Sequence, residues 1–205
     1  MNITWEKLLR LTAEHLTLSL SAVLLAIAVA VPAGILLSRS RRLADPVITV
    51  VGLFQTLPAV ALLAFMIPLL GIGSRPALVA LFLYALLPIL QSTYKGLVGV
   101  DAAAKEAGRG MGMTPAQMLV MVELPLAFRV IMSGVRTSTV MIIGWATLAA
   151  YVGAGGLGEP ILTGFALVSP RLILAGGIPV TVMALLADFL LGRLERWVTP
   201  RGLRV

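Results

Sequence analysis

Long apolar runs that contain no charge are the feature that most constrains this chain. The first run, residues 16–37, has no charged side chain and is followed directly by Arg39, Arg41 and Arg42. As an α-helix, a run of this length rises about 33 Å, which is enough to cross a hydrocarbon core of about 30 Å. The sequence therefore predicts a membrane-spanning helix here.

Four further long apolar segments follow, at about 47–70, 77–94, 130–152 and 172–191, of which the first two contain no charge and the last two contain one each. With the first run they predict an all-α polytopic membrane protein, a single transmembrane domain over residues 1–205 with five spans. The connection 153–171 is rich in glycine and too poor in apolar residues to cross. It predicts a loop with a short re-entrant or interfacial helix.

The composition excludes most enzyme classes. Only 12% of the residues are charged, whereas a soluble domain has about 25%. The chain has no cysteine and one histidine, so thiolate chemistry is excluded and no metal site is expected. His15, beside Glu14, is expected as an interfacial side chain at the outer membrane edge.

The sixteen basic residues are distributed unequally between the predicted loops. Four lie in one set of loops, at Lys7, Arg10, Arg75 and Arg171, and Arg136 lies within a span. The other eleven are Arg39, Arg41, Arg42, Lys95, Lys105, Arg109, Arg129, Arg193, Arg196, Arg201 and Arg204. Because cytoplasmic loops carry the excess of Lys and Arg, the N-terminus is predicted outside, and loop 95–129 and the C-terminus inside. The net charge of +7 therefore reflects topology, and no nucleic acid partner is expected.

Loop 95–129 contains a spaced motif. Its residues Glu106-Ala107-Gly108, Gly112 and Val122-Glu123-Leu124-Pro125 follow the pattern E-A-A-x3-G-x9-I-x-L-P. Gly108 replaces the second alanine and Val122 the isoleucine. The pattern resembles the signature of ABC importer permeases.

The residues within this motif predict a helix–turn–helix. Thr114 is a good N-cap, Pro115 suits the first helical position, and Gln117 stands where a capping box needs Glu or Gln. Gly110 and Gly112 can supply a turn with positive φ just before this helix.

The resemblance implies that this loop is the coupling helix, which inserts into a groove of an ATPase subunit. Glu106 would be a charged contact on its flank, and Met111 and Met113 would give adaptable apolar contact. The alternative is an amphipathic loop that packs on its own bundle. The residues assigned to ATPase coupling are Glu106, Ala107, Gly108, Met111, Gly112, Met113, Thr114, Pro115, Gln117, Leu124 and Pro125.

Further stretches narrow the resemblance. Residues 55–58 (QTLP), 86–89 (LLPI) and 147–158 (TLAAYVGAGGLG) are similar to permeases of osmoprotectant uptake systems, which carry glycine betaine, choline, carnitine and related quaternary ammonium solutes. Methionine-type permeases share the five-span core, so methionine stays an alternative solute. In a different class, a small oligomeric channel or scaffold without ATP coupling is also an alternative.

The resemblance implies a type I permease in the bacterial inner membrane that works by alternating access. The chain has no G-x-x-x-x-G-K-[ST] motif, so ATP and Mg²⁺ are expected on a partner and no cofactor on this chain. The implied partners are two ATPase subunits, a second permease chain of the same or a related kind, and an extracytoplasmic solute-binding protein, besides membrane lipid.

Two helix faces follow from spacing alone. Small residues recur every four positions on the first span, at Ala22, Ala26, Ala30 and Gly34, and we expect this face to pack against another helix. Polar or small residues share one face of the fourth span, at Ser133, Thr137, Gly144, Thr147 and Tyr151. Together with Gln55 and Thr56, these residues are candidates for lining the translocation path. The alternative interpretation is that the hydroxyls of this face bond to carbonyls of their own helix.

Two charges fall inside predicted spans. Arg136 lies in the fourth span and Asp188 in the fifth, both in the cytoplasmic portion. Intramembrane charges usually pair or extend to the interface. The sequence leaves open an interhelical ion pair or an Arg136 side chain that reaches the inner surface.

Overall fold

The computed structural model describes residues 3–198, and within that range every regular element is helical. A five-residue π-helical segment, Leu119–Glu123, precedes α7, and a 3₁₀ segment, Ala146–Val152, follows it. In chain order the α-helices are α1 (Trp5–Ser38), α2 (Arg41–Thr56), α3 (Ala59–Leu70), α4 (Ser74–Val98), α5 (Ala102–Gly110), α6 (Pro115–Met118), α7 (Leu124–Trp145), α8 (Gly158–Ala166) and α9 (Pro170–Val198).

Four of these helical stretches are long and apolar enough to cross a membrane, and a fifth crossing results if α2 and α3 form one bent span. The four are α1, α4, the continuous helical rod Pro115–Val152, and α9. They contain the predicted first, third, fourth and fifth spans and extend beyond them. The predicted all-α polytopic membrane fold is confirmed.

Helix α4 makes the most extensive contacts of the bundle, with α1 and with α7. Ala22, Ala26 and Ala30 of α1 are buried. Gly34 lies so close to α4 that a Cβ at this position would be 2.7 Å from the Cβ of Thr93. The small-residue face of α1 is therefore inside the protein, and at Gly34 it contacts α4.

The contact of α4 with α7 is equally close. A Cβ at Gly134 of α7 would lie 2.4 Å from the Cβ of Ser92 on α4. Further along, the rings of Tyr84 and Trp145 meet edge to face with their centroids 4.3 Å apart. These contacts fix the exposed face of α7 relative to the rest of the bundle.

The predicted second span, 47–70, corresponds to two helices, α2 and α3, and is not one continuous helix. The chain breaks at Leu57–Pro58, and α2 and α3 meet at a bend of 97°. Proline lacks an N–H and disfavours helical backbone at the residue before it. The break is stabilised internally, because Tyr84 Oη donates to the Leu57 carbonyl (2.6 Å) and Gln55 Nε2 donates to the Tyr84 carbonyl (3.1 Å).

The predicted loop 95–129 is also helical over most of its length. Helix α4 continues to Val98, and the helical rod that contains the fourth span already begins at Pro115. Residues 119–128 are apolar apart from Glu123, and Pro125 is tolerated in the first turn of α7. The loop is thus confined to the turns on either side of α5.

The connection 153–171 contains the predicted short helix, α8, which packs against α9. It begins with glycines in left-handed conformations, at Gly153, Gly155 and Gly156, where other residues would be strained. A Cβ at Gly158 would lie 1.9 Å from a backbone oxygen of the 3₁₀ segment. This connection is therefore tightly folded.

The two predicted groups of basic residues lie at opposite ends of the bundle. At one end the Lys7 Nζ is 2.6 Å from the Glu159 Oε1, which brings the start of α1 to α8. At the other end Arg39, just after α1, pairs with a glutamate just before α7. Arg201 and Arg204 lie outside the described residues.

Candidate functional site

The segment between α4 and α7 folds into a helical hairpin, residues 102–118, made of α5 and α6. Gly112 turns the chain with φ +75°, whereas Gly110 is the last residue of α5. The predicted capping box is confirmed: the Gln117 backbone N–H donates to Thr114 Oγ1 (3.3 Å) and the Thr114 N–H to Gln117 Oε1 (2.8 Å). Pro115 occupies the first turn of α6, as predicted.

The hairpin presents a row of exposed side chains away from the bundle. Met111 at its turn is 70% exposed, and Met113 is half-buried. An exposed methionine beside polar groups offers an adaptable apolar contact to a partner. The exposed members of the predicted coupling set are Glu106, Ala107, Met111, Gly112, Thr114, Pro115 and Gln117.

Gly108 holds the two arms of the hairpin together. A Cβ at this buried glycine would lie 2.5 Å from Met118 Cε and 3.3 Å from Met113 Sδ. The tip of the Met118 side chain therefore lies directly on the backbone of α5, and an alanine at this position would require that flexible side chain to move. Gly108 is thus an internal contact of the hairpin, not part of its exposed row.

Leu124 and Pro125 also lie apart from the exposed row. They are half-buried in the first turn of α7, and with Phe128 and Ile131 they border an open cavity of about 410 Å³. The end of the motif therefore anchors the hairpin to a spanning helix.

An interaction that the sequence reasoning missed connects this hairpin to α1. The Glu123 side chain is only 4% exposed, and Arg39 Nη1 donates to its Oε1 at 3.0 Å. Lys105 on α5 lies 4.0 Å from the same oxygen and donates to the Leu97 carbonyl at 3.0 Å. The feature of the sequence that could have indicated this interaction is Glu123 itself, a single acid within the apolar stretch 119–128.

The predicted polar face of α7 is partly exposed. Ser133, Thr137 and Gly144 are exposed, Tyr151 is 58% exposed, and Thr147 is half-buried. Ser133 and Thr137 line an open cavity of about 670 Å³ along α7 and α9. The Thr147 hydroxyl donates to the Gly144 carbonyl at 2.8 Å, which is the alternative of local back-bonding.

Gln55 and Thr56 stand at the bend between α2 and α3, away from that face. Gln55 donates to the Tyr84 carbonyl, and the Thr56 hydroxyl donates to the Leu53 carbonyl at 2.7 Å. The structure thus does not bring these two candidates together with the polar face of α7.

Arg136 and Asp188 form a two-point ion pair between α7 and α9. The Nη2 of Arg136 donates to Asp188 Oδ2 at 2.6 Å, and its Nε donates to the second carboxylate oxygen. Two turns away, Arg129 Nε lies 3.5 Å from Glu195 Oε1 on the same pair of helices. Of the two sequence alternatives, the structure contains the interhelical pair, and it lies in the wall of the α7–α9 cavity.

The expectation of an interfacial His15 is wrong. This side chain is fully buried, and its Nε2 lies 2.9 Å from the Ile143 carbonyl, to which it donates. A Cβ at Gly156 would be 3.2 Å from its Nδ1. Within residues 3–198 no three His, Cys, Asp or Glu side chains are grouped so that they could hold a metal ion.

Comparison with known proteins gives one family. The family model described as "Binding-protein-dependent transport system inner membrane component" matches residues 22–201. The carnitine transport permease protein OpuCB of Listeria monocytogenes is 57% identical over 199 residues, which cover 97% of this chain and 91% of that protein. The glycine betaine/carnitine/choline transport system permease protein OpuCB of Bacillus subtilis (strain 168) is 52% identical, over 97% of this chain and 91% of its own length.

A second kind of relative is somewhat less similar. The carnitine transport permease protein OpuCD of Listeria monocytogenes is 46% identical over 91% of this chain and 84% of that protein. Among solved structures, the MetNI methionine ABC transporter in an inward-facing conformation has a chain with a TM-score of 0.86 and 26% identity, with coverage of 96% of this chain and 98% of that one.

Proposed function

The chain belongs to the family of binding-protein-dependent transport system inner membrane components and is a permease subunit of an ABC importer. From this premise we propose its solute class, its contact with the ATPase and its partner permease. We propose that the solute is a quaternary ammonium osmoprotectant of the glycine betaine, choline and carnitine class. The observation that carries this proposal is the name of the relatives at 52–57% identity, which are permeases for carnitine, choline and glycine betaine.

Uptake by the reconstituted complex tests this solute class. The permease, its ATPase and its binding protein are placed in liposomes with ATP inside, and radiolabelled glycine betaine, choline, carnitine and methionine are offered in turn. We expect ATP-dependent uptake of at least one quaternary ammonium solute and none of methionine. Uptake of methionine alone would contradict the proposal, and uptake without ATP would favour the channel alternative.

We propose that the 102–118 hairpin binds the ATPase. Its support is the row of exposed residues around Met111, held in place by the capping box and by the contact of Gly108 with Met118. In this mechanism ATP and Mg²⁺ are bound by two partner ATPase subunits. Closure of these subunits moves the hairpins together and rocks the spans toward the outward-open state, and hydrolysis resets them.

The proposed orientation has the N-terminus outside and the C-terminus in the cytoplasm. It rests on the unequal distribution of basic residues, which the fold separates to opposite ends of the bundle. The end that carries the 102–118 hairpin then faces the cytoplasm, where an ATPase can reach it. The opposite end, with α8 and the start of α1, would receive the solute-binding protein.

We propose that the second permease is a related chain rather than a copy. The relatives include OpuCB and OpuCD proteins that are both named carnitine transport permeases of Listeria monocytogenes, and this chain is closer to the first kind, at 57% against 46% identity. Copurification from cells that express this chain with two different tags tests this point. Recovery of both tags in one complex would indicate a homodimer and contradict the proposal.

The polar face of α7 is proposed to line the path between the two permeases. Ser133 and Thr137 are exposed on a spanning helix and open into the α7–α9 cavity, where a second subunit or water could satisfy them. Thr137→Leu should lower flux in an assembled complex. Thr181→Leu is the matched comparison, because Thr181 is an exposed threonine of α9 outside this face and its hydroxyl already bonds to its own helix. Normal flux in Thr137→Leu would remove this face from the path.

A further inference from the structure

A buried acid lies where three parts of the chain meet. Glu123 ends the π-helical segment before α7, Arg39 is the residue just after α1, and Lys105 is on α5 of the hairpin. Two guanidinium N–H groups of Arg39 donate to the two carboxylate oxygens of Glu123, and the Lys105 ammonium lies 4.0 Å from one of them. We call these three side chains the Glu123 junction.

The junction connects the hairpin to two spanning helices at once. Lys105 faces inward to Glu123, whereas the next residue, Glu106, is exposed on the outer side of the same helix. A partner that contacts Glu106 is therefore one residue away from Lys105, whose charge faces Glu123 in the bundle. Buried ion pairs with several hydrogen bonds are geometrically demanding, and such networks can carry coupling between sites.

The local backbone supports a functional role for this position. Residues 119–123 form a π-helical segment, which is uncommon and frequently lies at functional sites. A buried carboxylate at this point is costly unless it is paired, so its charge has to be held by Arg39 and Lys105. An apolar residue would suffice if the segment only had to pack.

We propose that Glu123 is a positioning residue for energy coupling: through Arg39 and Lys105 it makes the hairpin, the end of α1 and the start of α7 move as one body during the ATP cycle. The inference rests on the proposed binding of the ATPase by the hairpin. It adds that the hairpin transmits its movement through a charged junction inside the permease, in addition to its apolar contacts.

Neutral variants of the junction test this role in the reconstituted complex. Glu123→Gln removes one charge with little change in volume, and Arg39→Gln removes the opposite charge and shortens the side chain. Arg41→Gln, the same substitution at an exposed position two residues along, is the matched control for the second change. We expect the ATPase to copurify normally with all three. In the two junction variants, solute transported per ATP hydrolysed should fall by about 5-fold or more, where 5-fold is the lower end of the affinity change that coupling between two sites produces.

Glu123→Asp separates positioning from packing. It keeps the charge, and the long Arg39 side chain can follow the shorter acid, so it should restore much of the coupling ratio that Glu123→Gln loses. A coupling ratio in both Glu123→Gln and Arg39→Gln equal to that of Arg41→Gln would overturn the inference. So would a loss in Glu123→Gln that Glu123→Asp does not relieve, because the charge would then have no role.

A distance measurement tests the rigid-body statement directly. The chain has no cysteine, so Leu36→Cys on α1 and Ala103→Cys on the hairpin, at exposed sites outside the residues assigned to the ATPase, can be spin-labelled without background. We expect the distance between the labels to stay constant between nucleotide-free and ATP-bound complexes. With Glu123→Gln added, the distance should change on ATP binding. A distance that changes in the unmodified background would refute the common movement.

Failure of this inference is distinguishable from failure of the proposed function. If the complex with the native permease shows no ATP-driven uptake of any solute offered, the proposed function fails. If it shows uptake and the junction variants retain its coupling ratio, only the inference fails.

Discussion

The substitution Gly134→Ala tests the packing of α7 against α4 and can be assigned a magnitude from the structure. The added Cβ would lie 2.4 Å from both Cβ and Oγ of Ser92 and 2.7 Å from the Pro88 carbonyl oxygen. The Ser92 Oγ can rotate away, but its Cβ and the carbonyl oxygen belong to the frame of α4. The two helices would therefore have to separate.

Overpacking in a fixed core costs about 1–3 kcal/mol, and the upper value applies here because backbone atoms are among those that clash. Alanine in place of a helical glycine returns about 1 kcal/mol. The net loss is about 2 kcal/mol, which lowers a melting midpoint by about 4–8 °C for a chain of this length.

Gly144→Ala is the matched control on the same helix. An added Cβ at Gly144 would meet no atom within 4 Å, so only the gain in helix propensity remains. The assay is the fraction of tagged permease that stays monodisperse in detergent after heating. Gly134→Ala should melt several degrees lower and Gly144→Ala at or above the unmodified midpoint. Equal midpoints for the two variants would refute the close contact between α4 and α7.

Three further predictions concern the other sites. Gly112→Ala places a Cβ at φ +75°, which costs roughly 1–2 kcal/mol, so ATPase binding should weaken by about 5- to 30-fold in a titration, whereas Gly110→Ala should bind normally. Equal affinities of the Gly112→Ala and Gly110→Ala variants for the ATPase would contradict the requirement for glycine at this turn. In a double-mutant cycle on Arg136→Gln and Asp188→Asn, the loss of thermal stability for the pair should be smaller than the sum of the two single losses, because each single change leaves one charge without its partner; additive losses would count against the pair. His15→Phe removes a buried hydrogen bond worth about 1 kcal/mol, so the same heating assay should show a midpoint lowered by about 2–4 °C, and an unchanged midpoint would contradict this role.

The sequence predicted those elements whose causes are local. Long apolar runs predict spans because a helix satisfies every backbone polar group within the segment, as lipid requires, and the spans at 77–94 and 172–191 lie inside α4 and α9. The capping box at Thr114 follows from residues three apart, and the spacing from Glu106 to Pro125 fixed the family resemblance. Each of these interpretations needs information from within about twenty neighbouring residues.

The bend between α2 and α3 could not be derived in this way. Pro58 is visible in the sequence, but a proline does not by itself predict a break, because Pro68 and Pro179 lie within the helices α3 and α9. What distinguishes Pro58 is Tyr84, whose hydroxyl and carbonyl both bond to residues at the break. This partner is contributed by α4, so the break is a property of tertiary structure.

The buried polar side chains likewise depend on tertiary partners that the sequence does not identify. His15 and Glu123 each stand next to a long apolar stretch, and from the sequence either side chain could equally have reached the membrane–water interface. Their partners are the Ile143 carbonyl and Arg39, more than eighty residues away in both cases. Burying a polar side chain without a partner costs several kcal/mol, and the buried hydroxyls of Ser19, Thr93 and Thr139 avoid this cost by donating to carbonyls of their own helices. The buried His15 and Glu123 instead have partners on other elements. An isolated acid or histidine in an apolar stretch of such a sequence therefore predicts a tertiary contact even where its partner cannot be named, whereas an isolated serine or threonine does not, because its hydroxyl can bond to its own helix.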